Sequence, residues 1–173
     1  MNLQFLSKPA YFSKDIKPFI VDEKLVRGAS ILSPFKIKKA KEKGVTQIID
    51  LRNSAKISGC VEKLLCNMFG IKYQNYKFPH RQKHLPSKDF FEEINKTIVN
   101  NEGKTYVHCQ YGHHRTGLAV AIYEKLHSVK SESEIVENMI CNGYRELISS
   151  KKTQKEKKYL QLYNQMIDVY FCK

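Results

Sequence analysis

The sequence predicts an α/β fold, with a central, mostly parallel sheet of about four to five strands flanked by helices. Three observations lead to this prediction. Short β-branched or alternating apolar runs recur along the chain, and segments with helical apolar spacing separate them. No internal repeat and no linker rich in Gly, Ser or Pro divides the 173 residues. We therefore expect one domain over residues 1–173.

The elements follow in order along the chain. Strands are predicted where β-branched or alternating apolar residues cluster, at residues 25–27, 45–51, 71–78 and 105–108. Helices are predicted where apolar residues recur with a helical period, at residues 34–44, 61–69, 87–99, 116–126, 131–142 and 154–170. Ser33 and Pro34 begin the first helix as its cap and first residue, and Gly44 and Gly70 end the first two. The last helix occupies the C-terminal segment, residues 151–173.

Composition and charge indicate which partners and which cellular compartment to expect. A net charge of +13 favours anionic substrates and would also suit nucleic acid or an acidic membrane surface. No apolar run approaches the roughly 20 residues that cross a bilayer, and residues 1–15 lack a signal-peptide core, so we expect a cytoplasmic protein. The five cysteines are scattered without a CxxC pair, which argues against a disulfide framework or a zinc site.

The strongest functional signal is the segment VHCQYGHHRTG at residues 107–117. A predicted strand leads into it and a predicted helix leaves it, so several backbone N–H groups and a helix N-terminus surround one point. Such an arrangement binds an anion of phosphate size. Cys109 shares that positive environment, which should lower its pKa into the roughly 3.5–7.5 range of activated cysteines. Because Arg115 can grip two phosphate oxygens, the segment predicts attack by a thiolate on a bound phosphate ester.

This segment resembles the signature HC-x-x-G-x-x-R-[S/T] of cysteine-dependent phosphatases of the protein-tyrosine and dual-specificity superfamily. All fixed positions match, at His108, Cys109, Gly112, Arg115 and Thr116. The segments LVRGA, GVTQIIDLRN and EIVENMICNGYRE are similar to the compact atypical dual-specificity phosphatases of plants, fungi and bacteria. The resemblance covers residues 25–146.

The resemblance implies a role for each matched residue. Cys109 would be the nucleophile that forms a phosphocysteine, and the Thr116 hydroxyl would bond the sulfur and help it leave. His108 would fix the loop from behind. Gly112 would let the backbone approach the phosphate. The implied phosphate-binding residues, through their backbone amides and the Arg115 guanidinium, are Gln110, Tyr111, Gly112, His113, His114 and Arg115.

The general acid stays open at this stage. The family commonly uses an aspartate some thirty residues before the cysteine, but the matching region here reads YKFPHRQKHLPSKD. Asp89 is the nearest carboxyl group, although it falls in the first turn of a predicted helix, where it would complement the helix dipole. His80, His84 and the loop residue His114 are the alternatives. A phenol or phosphate leaving group would need little protonation.

The resemblance implies a phosphomonoester hydrolase that acts on phosphotyrosine, phosphoserine and phosphothreonine proteins without metal or cofactor. Inositol polyphosphates or pyrophosphates are the second substrate class, since His113 and His114 would add to the positive field. An RNA 5′-phosphatase is a third, although His114 stands where that branch carries asparagine. A pseudophosphatase that only binds phosphorylated partners is the rival outside catalysis. Asp50 and Arg52 lie at the end of a predicted strand, and each is expected to be paired structurally and not to contact the substrate.

Overall fold

The computed structural model describes residues 18–53, 56–78, 86–142, 165 and 169–170, and in these ranges strands and helices alternate as predicted. The strands are β1 (Phe19–Ile20), β2 (Leu25–Ala29), β3 (Val45–Asp50), β4 (Lys72–Asn75) and β5 (Lys104–Cys109). The helices are α1 (Pro34–Glu42), α2 (Lys56–Met68), α3 (Lys88–Val99), α4 (His114–His127) and α5 (Glu132–Cys141).

The strands form one five-stranded sheet in the order β1-β2-β5-β3-β4. Strands β2, β5, β3 and β4 run parallel, and β1 pairs antiparallel with β2 at one edge. This confirms the predicted fold class. The carboxyl ends of the four parallel strands meet at one edge of the sheet, where ligands bind in such folds. Cys109 is the last residue of β5 and lies at that edge between its neighbours β2 and β3.

Two apolar clusters pack against the sheet. One joins Ile37 of α1 and Leu65 of α2 to Ile48 of β3. The other joins the remaining three helices to the sheet, through residues such as Ile94 of α3 and Leu118 of α4. Helix α4 is buried along most of its length, and its residues 118–123 belong to this second cluster. Its position is therefore fixed by core packing.

Three elements differ from the sequence prediction. Helix α2 begins at Lys56 and not near residue 61, because Ser58 and Gly59 fall in its first turn, where backbone N–H groups need no intrahelical partner. Strand β4 ends at Asn75, since its neighbour β3 has already ended at Asp50. The two-residue strand β1 is too short to carry a periodic signal.

The predicted C-terminal helix, residues 154–170, lies outside the described residues apart from 165, 169 and 170, which are helical. Among the helices that the structure describes, none has the length and apolar character needed to cross a membrane.

Candidate active site

The cysteine loop, residues 109–115, connects β5 to α4 and is anchored to both neighbouring strands. The N–H of Ser30, just beyond β2, donates to the carbonyl oxygen of Gln110 at 3.3 Å. The N–H of Leu51, just beyond β3, donates to the carbonyl oxygen of His108 at 2.8 Å. These bonds hold the start of the loop on the sheet edge.

Gly112 sits at the point where the loop touches β2. Its φ is +77°, in the left-handed region that favours glycine, and a Cβ there would lie 2.4 Å from the carbonyl oxygen of Gly28. Any side chain would therefore collide with the β2 backbone and strain the turn. The glycine matched in the sequence signature is required by both geometry and space.

The Cys109 thiol is 4 % exposed and has a lowered pKa. Burial alone would raise the pKa of this thiol, but several neighbours favour the thiolate more strongly. They are the Arg115 guanidinium, the Thr116 hydroxyl, and the N–H groups of Thr116 and Gly112. The sulfur thus occupies the positive environment that the sequence predicted.

Thr116 and Arg115 approach the loop from the first turn of α4. The Thr116 hydroxyl is buried and, among the residues that the structure describes, has no partner apart from its interaction with the Cys109 sulfur. Arg115 donates from Nη1 to the carbonyl oxygen of Leu51 at 3.0 Å, which orients its side chain across the end of β3. No carboxylate in the described ranges pairs with this guanidinium. Its charge is available to an anion.

His108 lies behind the loop and is fully buried. Its Nδ1 is 3.0 Å from the carbonyl oxygen of Cys109, so the ring braces the cysteine backbone. Burial lowers the pKa of His108 to about 4, against the opposing charge of Asp50. The imidazole is therefore neutral at pH 7, and Nδ1 donates to the carbonyl.

A buried ionic cluster of Asp50, Arg52, Glu62 and His108 supports the loop from behind. The Arg52 guanidinium donates to both Asp50 oxygens, at 2.9 Å from Nε and 2.8 Å from Nη2, and also pairs with Glu62. Glu62 accepts from the N–H of Ile31 at 2.8 Å, and its Oε1 lies 3.2 Å from His108 Nε2. Sequence predicted structural pairing for Asp50 and for Arg52 without naming a partner, and the structure pairs the two with each other. The role of Glu62, ten residues further on, was missed.

Charge balance explains why this cluster does not need a metal. Ligand atoms of Asp50, Glu62 and His108 lie within 4.8 Å of one another. The Arg52 guanidinium already supplies a cation between the two carboxylates. Burial raises the pKa of Glu62 to about 7, against the stabilising charge of Arg52, whereas the bonds from Arg52 hold the pKa of Asp50 below its ordinary value despite burial. We assign no metal site here.

Arg27 is a second buried residue that the sequence did not reveal as part of the site. It lies in the middle of β2, is 2 % exposed, and donates from Nη2 to the carbonyl oxygen of Gly112 at 2.8 Å. Burial lowers the pKa of Arg27 to about 10, while the nearby Cys109 and Glu124 oppose that shift. Its charge therefore supports both the loop backbone and the thiolate. The only available signal was its place in the segment LVRGA.

The other predicted phosphate-binding residues lie where the loop turns into α4. Gln110 and Tyr111 are exposed, and His113 contacts the carbonyl oxygen of Asn142 through Nδ1 at 3.2 Å. The His113 and His114 rings lie side by side, with centroids 6.0 Å apart. The end of the loop thus carries two adjacent imidazoles.

The general acid stays a prediction. Asp89 is exposed in the first turn of α3, and its charge acts on Tyr170, whose pKa is raised mainly by burial. The alternatives His80 and His84 lie outside the described residues.

The sheet order, the cysteine loop and its anchored arginine define a protein of the atypical dual-specificity phosphatase superfamily. More narrowly, residues 22–167 match the family model described as a DSP-PTPase phosphatase fused to NAD+ kinase, and the chain belongs to that family. No curated protein sequence matches the chain.

Solved structures with the same fold include TpbA of P. aeruginosa, at a TM-score of 0.61 and 14 % identity over 87 % of this chain and 91 % of that one. A complex of a TpbA variant with phosphotyrosine is also similar, at a TM-score of 0.63 and 13 % identity over 86 % and 91 %. The core catalytic domain of the PP-IP phosphatase SIW14 from S. cerevisiae, bound to citrate, matches at 0.58 and 17 % identity over 88 % and 91 %. These solved structures share the fold of the chain, at sequence identities of 13–17 %.

Proposed function

We propose that the chain is a phosphomonoester hydrolase that works through a phosphocysteine, needs no metal, and acts on phosphotyrosine, phosphoserine and phosphothreonine proteins. The observation that carries this proposal is the lowered pKa of Cys109 inside a loop whose N–H groups and arginine converge on its sulfur. A thiolate held in this way is the nucleophile, and the donors that stabilise it are placed to bind the phosphate oxygens.

The reaction runs in two steps. In the first, the Cys109 sulfur attacks phosphorus, the S–P bond forms, and the bond from phosphorus to the leaving oxygen breaks. The loop amides and Arg115 stabilise the charge on the non-bridging oxygens. In the second, water attacks phosphorus, the S–P bond breaks, and inorganic phosphate leaves. The Thr116 hydroxyl, which faces the sulfur, stabilises the returning thiolate.

A proton must reach the leaving oxygen in the first step, and its source differs between substrates. A phenolate is a weak base and can leave with little assistance. A serine or threonine alkoxide needs a donor, for which Asp89, His80, His84 and His114 are the candidates. We therefore expect aryl phosphates to be cleaved faster than alkyl phosphates.

The second substrate class is inositol polyphosphates or pyrophosphates. Two imidazoles on the loop and a net charge of +13 suit a substrate with several phosphates. The likeness to SIW14, titled a PP-IP phosphatase, supports this class by fold alone. RNA 5′-phosphatase activity has less support, because His114 replaces the asparagine of that branch.

We further propose that residues 1–173 form a single catalytic domain and that the protein is cytoplasmic. The family match over residues 22–167 supports the first proposal. The scattered cysteines, four of them free in the structure, support a reducing compartment.

The test is hydrolysis of a generic aryl phosphate in excess EDTA. The wild-type chain should turn over with an initial burst of leaving group followed by steady release. Cys109→Ser should abolish turnover while still binding phosphate, and Cys60→Ser, at an exposed free thiol, should behave as wild type. Turnover that survives Cys109→Ser would overturn the mechanism. Binding of phosphoproteins without turnover would favour the pseudophosphatase.

Substrate class is resolved by comparing turnover of phosphopeptides, inositol polyphosphates and triphosphate-ended RNA. A kcat/KM at least tenfold higher for phosphopeptides is the expected result. A higher kcat/KM for inositol polyphosphates than for phosphopeptides would replace the proposed substrate and leave the cysteine mechanism intact.

A further inference from the structure

Helices α1 and α2 are neighbours, and both carry exposed apolar residues that the phosphatase site does not use. On α2, Ile57, Val61, Leu64 and Met68 recur every three or four residues and share one side of the helix. Their exposures are 82, 43, 61 and 69 %. Phe35, on the neighbouring helix α1, is 84 % exposed. We call these five residues the α1–α2 face.

This face is not required for folding, because both helices already bury other residues. Ile37 of α1 and Leu65 and Cys66 of α2 pack into the cluster beneath them. Helix α3 offers a comparison, since its apolar residues are buried except for Val99 at its end and the half-buried Phe90. A single exposed apolar residue is ordinary, but four along one side of α2, with a fifth on the neighbouring helix, point to an interaction surface.

The charges around the face are almost all positive. The described exposed charges on these two helices are five lysines and one carboxylate, at Lys36, Lys38, Lys39, Lys41, Lys63 and Glu42. Glu62, the other carboxylate of α2, is fully buried in the ionic cluster behind the loop. The surface complementary to this face is therefore anionic.

The face begins beside the cysteine loop. Ser30, which precedes α1, contacts the loop backbone at Gln110, and Arg52 contacts Ser58 in the first turn of α2 at 3.3 Å. The N-terminal ends of both helices thus lie at the sheet edge that carries Cys109. A partner that docks at the N-terminal end of this face therefore lies on the same side of the sheet as the cysteine loop.

We propose that the α1–α2 face docks the protein on an anionic lipid bilayer, with the apolar side chains in the headgroup boundary and the lysines on lipid phosphates. Apolar stripes flanked by lysine are typical of helices that lie in a membrane interface. Lysine is depleted from protein–protein interfaces, where Arg, Tyr and Trp are enriched, so a lipid surface fits this composition better than a protein. Docking would present the loop to phosphoesters at the membrane surface.

The experiment is cosedimentation of the full chain with phosphatidylcholine vesicles that either contain or lack phosphatidylserine. The wild-type chain should bind only the vesicles with phosphatidylserine, and added salt should weaken binding. Phe35→Asp/Leu64→Asp should lower the partition coefficient at least about tenfold, because it places two carboxylates in the headgroup boundary. The matched control, Leu126→Asp/Val129→Asp, changes two exposed apolar residues elsewhere and should bind as wild type.

A second pair of variants tests the charge requirement. Lys38→Glu/Lys39→Glu should weaken binding at least about tenfold, whereas Lys72→Glu/Lys96→Glu, with the same charge change on β4 and α3, should weaken it less. Equal loss in both pairs would show that only net charge matters and would overturn the proposed face. The proposal would also be overturned if the wild-type chain did not bind the vesicles. It would likewise be overturned if the chain formed dimers in gel filtration that Phe35→Asp/Leu64→Asp abolishes. Because none of these variants touches Cys109, the outcome is independent of the proposed hydrolysis.

Discussion

Two groups of charged side chains lie back to back at the carboxyl edge of the sheet, and they manage charge in opposite ways. In the cysteine loop, Arg115 faces the thiolate and has no carboxylate partner among the described residues. In the ionic cluster, Arg52 is paired with both Asp50 and Glu62. The first arrangement leaves positive charge for a substrate, and the second cancels its own. The positive charge of Arg115 is therefore left without a carboxylate at the loop, whereas that of Arg52 is neutralised where it fixes the strand ends.

His108 joins the two groups. One side of its ring contacts the Cys109 carbonyl, and the other lies 3.2 Å from Glu62. Because the ring is neutral and Nδ1 carries its proton, Nε2 has no hydrogen-bond partner among the described residues. The ring therefore braces the Cys109 carbonyl without adding charge behind the thiolate. Substitutions in the cluster should thus act mainly on stability, and substitutions in the loop mainly on turnover.

The largest expected effect is on the cluster. Arg52→Met would leave two buried carboxylates without their cation, and should lower the free energy of unfolding by about 3–5 kcal/mol. Lys88→Met, which breaks the exposed pair with Glu92, is the control and should cost less than about 0.5 kcal/mol. Urea unfolding of the three chains measures both. Equal stabilities of Arg52→Met and wild type would show that the cluster does not hold the fold.

The next largest effect is on the loop. Arg115→Lys keeps the charge but loses the planar grip on two oxygens, so kcat/KM for an aryl phosphate should fall about 10²–10³-fold. The free energy of unfolding should change little, since within the described ranges the side chain makes one hydrogen bond, to the Leu51 carbonyl. A loss of activity below tenfold would contradict the role of this guanidinium.

A smaller effect is expected from alanine at two glycines with positive φ, and comparing the two distinguishes backbone strain from steric collision. Gly112 and Gly44 have φ values of +77° and +85°, but only Gly112 has neighbours where a Cβ would lie. Gly44→Ala should cost about 1–2 kcal/mol of strain and leave turnover unchanged. Gly112→Ala should add a collision with β2 and reduce kcat about a hundredfold. Similar kinetics for the two variants would show that the loop tolerates displacement from β2.

The smallest expected effect concerns the second chemical step. Thr116→Val removes the hydroxyl that faces the sulfur and keeps the shape of the side chain. Steady-state turnover should fall about tenfold while the burst persists, because losing one hydrogen bond to a charged group costs about 1.5 kcal/mol at the lower end of its range. Stopped-flow release of an aryl leaving group measures both phases. An equal loss in burst rate and steady rate would place the hydroxyl in the first step instead.

The same contrast explains what could be predicted from sequence. The cysteine loop is contiguous, so its strand, turn and helix start were readable from residues 107–117. Structural pairing of Asp50 and of Arg52 was also expected from their place at the end of one strand, although the partner of each was not. Glu62 and Arg27 come from other segments, and only the packing of α2 and the pairing of β2 with β5 bring them to the loop. Contacts between segments that are distant in the sequence leave no local pattern from which they could be predicted.

The most direct measurement is the pH dependence of Cys109 alkylation by iodoacetamide, read by mass spectrometry on the Cys109 peptide alone. Arg115, Thr116 and the loop N–H groups lower the pKa of this thiol, so its thiolate should persist as the pH falls. The account predicts a midpoint well below the value of about 8.5 for free cysteine, and an upward shift in Thr116→Val. A wild-type midpoint at or above 8.5 would contradict it.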